Sequence, residues 1–341
     1  MAPRPVVTCL LPGLFGPVPA GASGAVQDTG PYPNLQRLIA LGRHHPAHGA
    51  PSSEALIAGA GGINAPTGGL LASMLAERPG SRDAIHYRAS PAHLQPDRDR
   101  LLLFAGEPVR PDAADRQGIA ERFNALYSDD GLWLTPAGDE WLLTAETPPG
   151  PDLPALAEVT GRYLDTALPG GSEYRRWRQI LNETQMMLFD HPANTQRARR
   201  GALAINGLWF WDGGPVAGPL SAAFDRLIGD NPLLEAIGGL SGVEHQSLTA
   251  LEAGPPMPGM RDLVVADGSE KALLGGDIAG WLEALQWVER DLAPLLTTWV
   301  RRHGAEILLH TGTGRAYRIH RANRWRFWHR PPRLADQLVE Q

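Results

Sequence analysis

The sequence has little cysteine and no long hydrophobic run. Its 341 residues include a single cysteine, Cys9, so an internal disulfide and a zinc site built from several thiolates are both excluded. No stretch reaches the roughly 18 consecutive apolar residues of a membrane span. The apolar run near the N-terminus is short and is broken by Pro12, which predicts a first β-strand rather than a signal peptide. We therefore expect a cytoplasmic protein that does not contact a membrane.

The chain also lacks an excess of positive charge and a nucleotide-binding glycine loop. Its formal net charge of −6 argues against nucleic acid as a partner of the chain as a whole. The glycine-rich stretch GAGGINAPTGG does not contain the GxxxxGK[ST] pattern, so it does not predict a phosphate-binding loop. The content of 43% hydrophobic and 20% charged residues is typical of a globular protein.

Patterns typical of strands and of helices alternate along the chain. Such alternation predicts an α/β fold with a doubly wound sheet. Residues 1–95 and 200–341 are expected to form this core, and residues 96–199 a smaller inserted α+β domain with a hairpin over 131–145. A long helix is predicted between Asp277 and Gly304. The core sheet is expected to contain strands near residues 6–11, 208–211, 262–266 and 306–310.

The segment from Phe189 to Gly214 collects side chains that can bind or react with an anion. Asp190 and His191 can form an acid–base pair, and Arg197 can bind a phosphate or carboxylate with two parallel hydrogen bonds. The alternative is structural, with Asp190 capping a turn and His191 packing in the interior. The structural role is favoured for Asp190, whereas both roles remain open for His191.

The same segment ends in a strand with three aromatic side chains. Trp209, Phe210 and Trp211 are expected in the core. Asn206 and Asp212 lie at the two ends of this strand, and strand ends line the ligand crevice in α/β folds. The candidate residues for binding a small phosphorylated or carboxylate ligand are therefore Asp190, His191, Asn194, Arg197, Asn206 and Asp212.

Several motifs resemble those of one enzyme family. The stretch DHPANTQRARRGALAINGLWFWDGG resembles the HPxNxxR…G…NxxWxWGxG segment of archaeal-type cofactor-independent phosphoglycerate mutases. PNLQRLIALGR followed by PSSEAL resembles two further segments of that family. DGLWLTPAGDEWLLTAE and WRFWHRP are more similar to a proteobacterial group of phosphoglycerate-mutase-like proteins, the RpfE-type regulatory family. The resemblance implies an alkaline-phosphatase-like core with an inserted domain.

The resemblance also implies a reaction site in which two divalent metals assist a serine that takes up a phosphoryl group. Ser53 matches this serine. Three segments that hold the metals in the family are altered here, because Pro12 replaces an aspartate, Asp267 lacks its following histidine and His310 lacks its neighbouring aspartate. We therefore expect no metal cofactor, and Ser53 is predicted to be a vestigial nucleophile.

Together these features predict a catalytically degenerate relative with a regulatory role, acting through a small anionic ligand or a protein partner. The ligand is expected where His191, Asn194 and Arg197 come within reach of Ser53, in a crevice between core and insertion. An active mutase or phosphatase with relocated ligands and divalent metals is the alternative.

A weaker alternative is a regulator that contacts nucleic acid through residues 307–335, which contain no acidic residue. Arginines alternate with aromatic residues in this stretch, as in single-strand binding surfaces. A hairpin with one buried face produces the same alternation and is favoured. The arginines are Arg315, Arg318, Arg321, Arg324, Arg326, Arg330 and Arg333.

Overall fold

The computed structural model describes residues 3–19, 21–46, 52–98, 100–254, 256–321 and 333–340. Its strands are β1 (Val6–Leu10), β2 (Arg43–Pro46), β3 (Ile85–Asp97), β4 (Arg100–Phe104), β5 (Leu132–Ala137), β6 (Glu140–Ala145), β7 (Gly207–Gly214), β8 (Arg226–Ile228), β9 (Glu244–Gln246), β10 (Arg261–Val265), β11 (Glu306–His310) and β12 (Arg315–Ile319). Its α-helices are α1 (Ala22–Thr29), α2 (Pro33–Leu41), α3 (Ser53–Gly61), α4 (Thr67–Ala72), α5 (Ala113–Tyr127), α6 (Leu156–Val159), α7 (Leu164–Ala167), α8 (Arg175–Phe189), α9 (Pro192–Arg199), α10 (Pro232–Ser241), α11 (Gly268–Leu274), α12 (Ile278–Trp287) and α13 (Ala293–Thr298).

The described residues divide into two compact units. The first unit takes its residues from Met1–Ile63 and Leu220–Gln341, and the second from Asn64–Pro219. Within the described ranges, no helix is both long and apolar enough to cross a membrane.

The first unit is built on a mostly parallel sheet with the strand order β2-β12-β11-β1-β10-β8-β9. β1 lies between β10 and β11 and is parallel to both, and β8 is parallel to β10 and β9. The strands β12 and β2 complete one side in antiparallel pairing. The parallel strands end at one common edge, which we call the carboxyl edge, where ligands bind in open α/β sheets.

A long helical segment contributes much of the first unit's core. It runs from Ile278 to His303 as α12 and α13, each followed by a π-helical stretch. The Asp277 carboxylate accepts a hydrogen bond of 2.9 Å from the Gly280 amide, so the predicted helix and its cap are confirmed. Trp281 and Trp299 point into the core and are fully buried. Burial of each such side chain stabilises the fold by about 1.5–3 kcal/mol or more.

The second unit is built on an antiparallel sheet. β3 pairs with β4, β6 and β7, and β5 pairs with β6. The helices α5 and α8 pack on this sheet. The indole of Trp177 on α8 stacks on the ring of Phe210 with centroids 5.6 Å apart. Trp209, Phe210 and Trp211 are all buried, as predicted.

The structure confirms the α/β class and corrects the position of one strand. β1, β10 and β11 share a sheet, and the hairpin over 131–145 lies outside it, as predicted. The prediction that 208–211 joins them is wrong, because β7 pairs with β3, with Phe210 opposite Ala89. An apolar run buried on both faces does not reveal which strand lies beside it.

The chain passes between the units at different positions from those predicted. The changes fall after Ile63 and after Pro219, rather than at 95/96 and 199/200. Hydrogen bonding of β3 to β7 draws both strands and their flanking residues into the second unit. Of the C-terminal arginine-rich stretch, Arg315 and Arg318 lie on β12. Arg324, Arg326 and Arg330, and the aromatic residues between them, lie outside the described residues.

Candidate functional site

The carboxyl edge of the first sheet carries Asp267 and His310, which the sequence marked, and also Gly13 and Asn231, which it did not. Gly13 follows β1, Asn231 follows β8 and Asp267 follows β10. His310 ends β11, and burial lowers the pKa of its imidazole. Ser53 begins α3, which packs against β1.

Ser53 is buried at the start of α3, with only 3% of its surface exposed. The preceding residue, Ser52, caps the helix by accepting a hydrogen bond of 3.3 Å from the Ala55 amide. The backbone amide of Ser53 donates to both carboxyl oxygens of Glu270, at 2.9 and 3.1 Å. Unpaired amides and the helix dipole make the start of a helix favourable for an anion. In this chain a side chain of the protein itself takes that position.

Glu270 is held in place by the turn that follows β1. Gly13 has a φ of +73°, and a Cβ atom there would lie 2.7 Å from both Cα and N of Glu270. The Gly13 carbonyl accepts a hydrogen bond of 3.1 Å from the indole of Trp281. The left-handed backbone and the close approach both require glycine. The backbone of Glu270 is therefore packed directly against the end of the central strand.

The surroundings of Glu270 favour its protonated form. Burial, and then the nearby Glu54 carboxylate, raise the pKa of Glu270 to about 8, and Asp267 adds to this rise. Hydrogen bonds from Ser53 oppose the rise, because they favour the charged form.

Asp267 is engaged by its neighbours on both oxygens. Oδ2 accepts a hydrogen bond of 2.9 Å from the amide of Asn231, and Oδ1 lies 3.1 Å from Nζ of Lys271. Lys271 is the only lysine in the sequence. Asn231 also caps α10, because its side-chain oxygen Oδ1 accepts a hydrogen bond of 3.0 Å from the Leu233 backbone amide. Asp267 therefore links the ends of β8 and β10.

The donor set at the carboxyl edge does not fit a pair of divalent metals. Two-metal phosphoryl transfer requires several oxygen and imidazole ligands around each ion. Pro12 is buried and offers no side-chain donor, and Asp267 already accepts from Asn231 and Lys271. In the part of the chain that the structure describes, no three His, Cys, Asp or Glu side chains are grouped closely enough to hold a metal ion.

The candidate residues of the 189–214 segment all lie in the second unit, where His191 and Asn194 bond to the backbone. His191 caps α9, its Nδ1 accepting from the Ala193 amide and its Nε2 contacting the Gly118 carbonyl, both at 3.2 Å. Asn194 donates to the carbonyls of Leu188 and Ile205, and its Oδ1 accepts from the Ile205 amide, all at 2.8 Å. Asp190 follows α8 with an exposed side chain.

Arg197 is a buried arginine with internal acceptors on all three guanidinium nitrogens. Nη1 pairs with Asp115 at 3.2 Å, and both side chains are only 5% exposed. The remaining bonds go to backbone carbonyls: Nε to Leu203, Nη1 also to Arg110, and Nη2 to Pro108, at 2.7, 2.9 and 3.2 Å respectively. These internal acceptors satisfy the guanidinium group, so its hydrogen bonding requires no external anion.

Asn206 and Asp212 also have structural partners. The Asn206 side chain mimics a strand, accepting from the Leu94 amide at 2.6 Å and donating to its carbonyl at 2.9 Å. Asp212 has a left-handed φ of 52°. Its carboxylate accepts from the amide and hydroxyl of Thr67, the first residue of α4. Asp212 therefore caps a helix from the end of β7.

The predicted residues separate between the two units. Ser53 belongs to the first unit, and the six candidates of the 189–214 segment belong to the second. A shared crevice that holds Ser53 together with His191, Asn194 and Arg197 remains a prediction. Sequence reasoning missed Glu270 and Gly13. The available signal for Glu270 was an acidic residue in the first turn of a helix that follows a strand. The signal for Gly13 was a glycine just after the first strand.

Comparison with known proteins supports distant homology to one enzyme family. No protein-family model matches the chain. The 2,3-bisphosphoglycerate-independent phosphoglycerate mutase of Methanosarcina barkeri is 27% identical over 162 residues, which is 46% of this chain and 37% of that protein. The probable enzyme of the same name from Geobacter sulfurreducens is 23% identical over 152 residues, 44% of this chain and 37% of that protein. The aligned part therefore spans little more than a third of each relative.

A solved structure shares the overall fold. The PH0037 protein from Pyrococcus horikoshii superimposes with a TM-score of 0.50 and 14% identity, over 93% of this chain and 85% of that chain. The chain is thus similar over part of its length to 2,3-bisphosphoglycerate-independent phosphoglycerate mutases, and it shares the fold of the PH0037 protein. The shared fold agrees with the predicted α/β class.

Proposed function

We propose that the chain is a phosphoglycerate-mutase homologue that does not transfer phosphoryl groups and acts by binding. One observation carries this proposal: the amide of Ser53 donates to the carboxyl group of Glu270, at 2.9 and 3.1 Å. The position that faces an incoming anion at the start of α3 is filled by the chain itself.

Two further features support the loss of phosphoryl transfer. A serine that is 3% exposed cannot attack a phosphoryl group without rearrangement, because the reacting atoms must approach to about 3–3.5 Å. Among the residues that the structure describes, the carboxyl edge also offers no set of donors for a pair of metals. A serine without a metal or a neighbouring base is a weak nucleophile.

The binding role is proposed to be regulatory, as the similarity to the RpfE-type group suggests, and to take place in the cytoplasm. A small phosphorylated or carboxylate molecule, or a protein, is the proposed partner. No resident metal is part of this proposal. Because the polar atoms of His191, Asn194 and Arg197 are occupied within the second unit, we do not assign the ligand to these three residues alone.

The test is a phosphoglycerate mutase assay on the purified chain, supplied in turn with manganese, magnesium and zinc. The enzyme from Methanosarcina barkeri serves as the positive control. We expect no turnover above background and the same result for Ser53→Ala. Metal-dependent turnover that Ser53→Ala abolishes would overturn the proposal in favour of an active mutase. Turnover of other phosphate esters with the same dependence on Ser53 would favour a phosphatase.

A further inference from the structure

The contact between Glu270 and Ser53 joins two segments that are 217 residues apart in the sequence. Ser53 lies at the start of α3, and Glu270 lies in the first turn of α11. Glu270 is 7% exposed and Ser53 is 3% exposed, so water has almost no access to either residue. The contact is therefore a closed, buried junction between two helix starts.

The electrostatics of this junction are unfavourable to a carboxyl group. Glu54 on α3 and Asp267 before α11 are both acidic, and both raise the pKa of Glu270. The Ser53 amide opposes them. Lys271 is directed to Asp267, at 3.1 Å. Packing against Gly13 fixes the backbone of Glu270, and the Ser53 amide receives its carboxyl group. Geometry therefore holds this side chain in surroundings that disfavour its charge.

We propose that Glu270 is an autoinhibitory residue, whose carboxyl group closes Ser53 and excludes any external phosphate or carboxylate from the start of α3. Binding of an anion at Ser53 then requires Glu270 to leave. This inference deepens the proposed function and relies on it for the class of ligand. It concerns access to Ser53, which is measurable without any ligand.

The experiment replaces Ser53 by cysteine and measures the rate of thiol labelling by a small alkylating reagent. The natural Cys9 gives little background, because it is 0% exposed and burial raises the pKa of its thiol to about 12. A thiol at a helix start is reactive once it is accessible. Ser53→Cys is labelled in three backgrounds, with Glu270 intact, with Glu270→Ala and with Glu270→Gln. The control is Ala55→Cys, an exposed position on the same helix.

We expect slow labelling of Ser53→Cys with Glu270 intact and about tenfold faster labelling with Glu270→Ala, since the closing contact is a hydrogen bond to a buried carboxyl group. Glu270→Gln should label as slowly as the intact chain, because its amide oxygen also accepts from the residue-53 amide. Ala55→Cys should label quickly in every background. Equal rates with Glu270 intact and with Glu270→Ala, or labelling of Ser53→Cys as fast as that of Ala55→Cys with Glu270 intact, would overturn the closure.

Circular dichroism shows whether Glu270→Ala still folds. If it does not, a second measurement on a milder variant tests the proposal. Glu270→Asp withdraws the carboxyl group by one methylene and should speed hydrogen exchange at the Ser53 amide, whereas unchanged exchange would refute the proposal. The mutase assay on the wild type stays separate. Turnover in that assay would contradict the proposed function, whatever the labelling rates are. Equal labelling rates with Glu270 intact and with Glu270→Ala would contradict the autoinhibitory role of Glu270 and would not affect the proposed function.

Discussion

The guanidinium group of Arg197 shows how one residue can hold several segments together. It joins α9 to the Leu203 carbonyl after the helix, to the carbonyls of Pro108 and Arg110, and to Asp115 in α5. Both members of the ion pair are 5% exposed. Removal of one partner leaves the other charge buried without compensation, and this is where most of the cost of breaking such a pair arises.

We therefore expect Arg197→Ala to lower the free energy of unfolding by about 3–5 kcal/mol, as is typical when one partner of a buried ion pair is removed. Arg199→Ala is the matched control, because Arg199 is exposed on the same helix, and it should change stability by no more than about 0.5 kcal/mol. Urea unfolding followed by tryptophan fluorescence measures both. Equal, small effects of the two substitutions would show that Arg197 is not a structural residue and would restore its role in ligand binding.

The same residue shows what the sequence can and cannot reveal. The spacing between His191 and Arg197 predicted that the Arg197 side chain has a fixed position. In the structure its guanidinium group is indeed held by several hydrogen bonds. The sequence pattern does not, however, distinguish an arginine that binds a phosphate with two hydrogen bonds from one that binds backbone carbonyls. Both roles use the same planar set of donors. Only the positions of Asp115 and Pro108, which are more than eighty residues away, distinguish them.

At the scale of elements, two glycines with a left-handed backbone follow β1 and α3 in the first unit. Gly13 lies in the turn after β1 and has a φ of +73°. A Cβ atom at this position would lie 2.7 Å from Cα and N of Glu270. Gly62 ends α3 with a φ of +63° and has nothing within 4 Å of that position. The two glycines thus share the backbone conformation and differ in the space around it.

Gly13→Ala should consequently destabilise the chain more than Gly62→Ala. Both substitutions incur about 1–2 kcal/mol for a left-handed backbone, and Gly13→Ala adds about 1–3 kcal/mol because the methyl group collides with the backbone of Glu270. Urea denaturation of the two variants measures the difference. Indistinguishable midpoints would mean that the turn after β1 shifts readily, and the packing of Glu270 would then be loose.

Elements are predicted well where their own residues determine them and less well where a distant partner does. The helix that Asp277 begins and Gly304 ends follows from local capping and periodicity. The strand over 207–214 was also expected, but its sheet was not, because its neighbour β3 lies more than a hundred residues earlier. Ser53 was found from its segment, whereas Glu270 acts only through a contact across 217 residues.

At the scale of the whole molecule, an acidic chain keeps a buried carboxyl group next to the carboxyl edge of the first unit's sheet. The sequence carries a net charge of −6, and burial, followed by the acidic neighbours Glu54 and Asp267, raises the pKa of Glu270 from 4.5 to about 8. Between these two values the folded chain holds a proton that the unfolded chain has released. By linkage, the stability of the fold must then depend on pH in this interval.

The sign of this dependence is a decrease with rising pH. The contribution of Glu270 to stability is fully present below about pH 4.5, is lost as the pH rises through the interval, and becomes constant above about pH 8. The slope is at most about 1.4 kcal/mol per pH unit. Glu270→Gln cannot ionise, so the wild type should lose stability relative to this variant across the interval, as urea unfolding at several pH values would show. Glu283→Gln, on the exposed face of α12, controls for the loss of one carboxyl group. Parallel curves for the wild type and Glu270→Gln would mean that Glu270 is ionised throughout, and the buried junction with Ser53 would then hold a permanent charge rather than a proton.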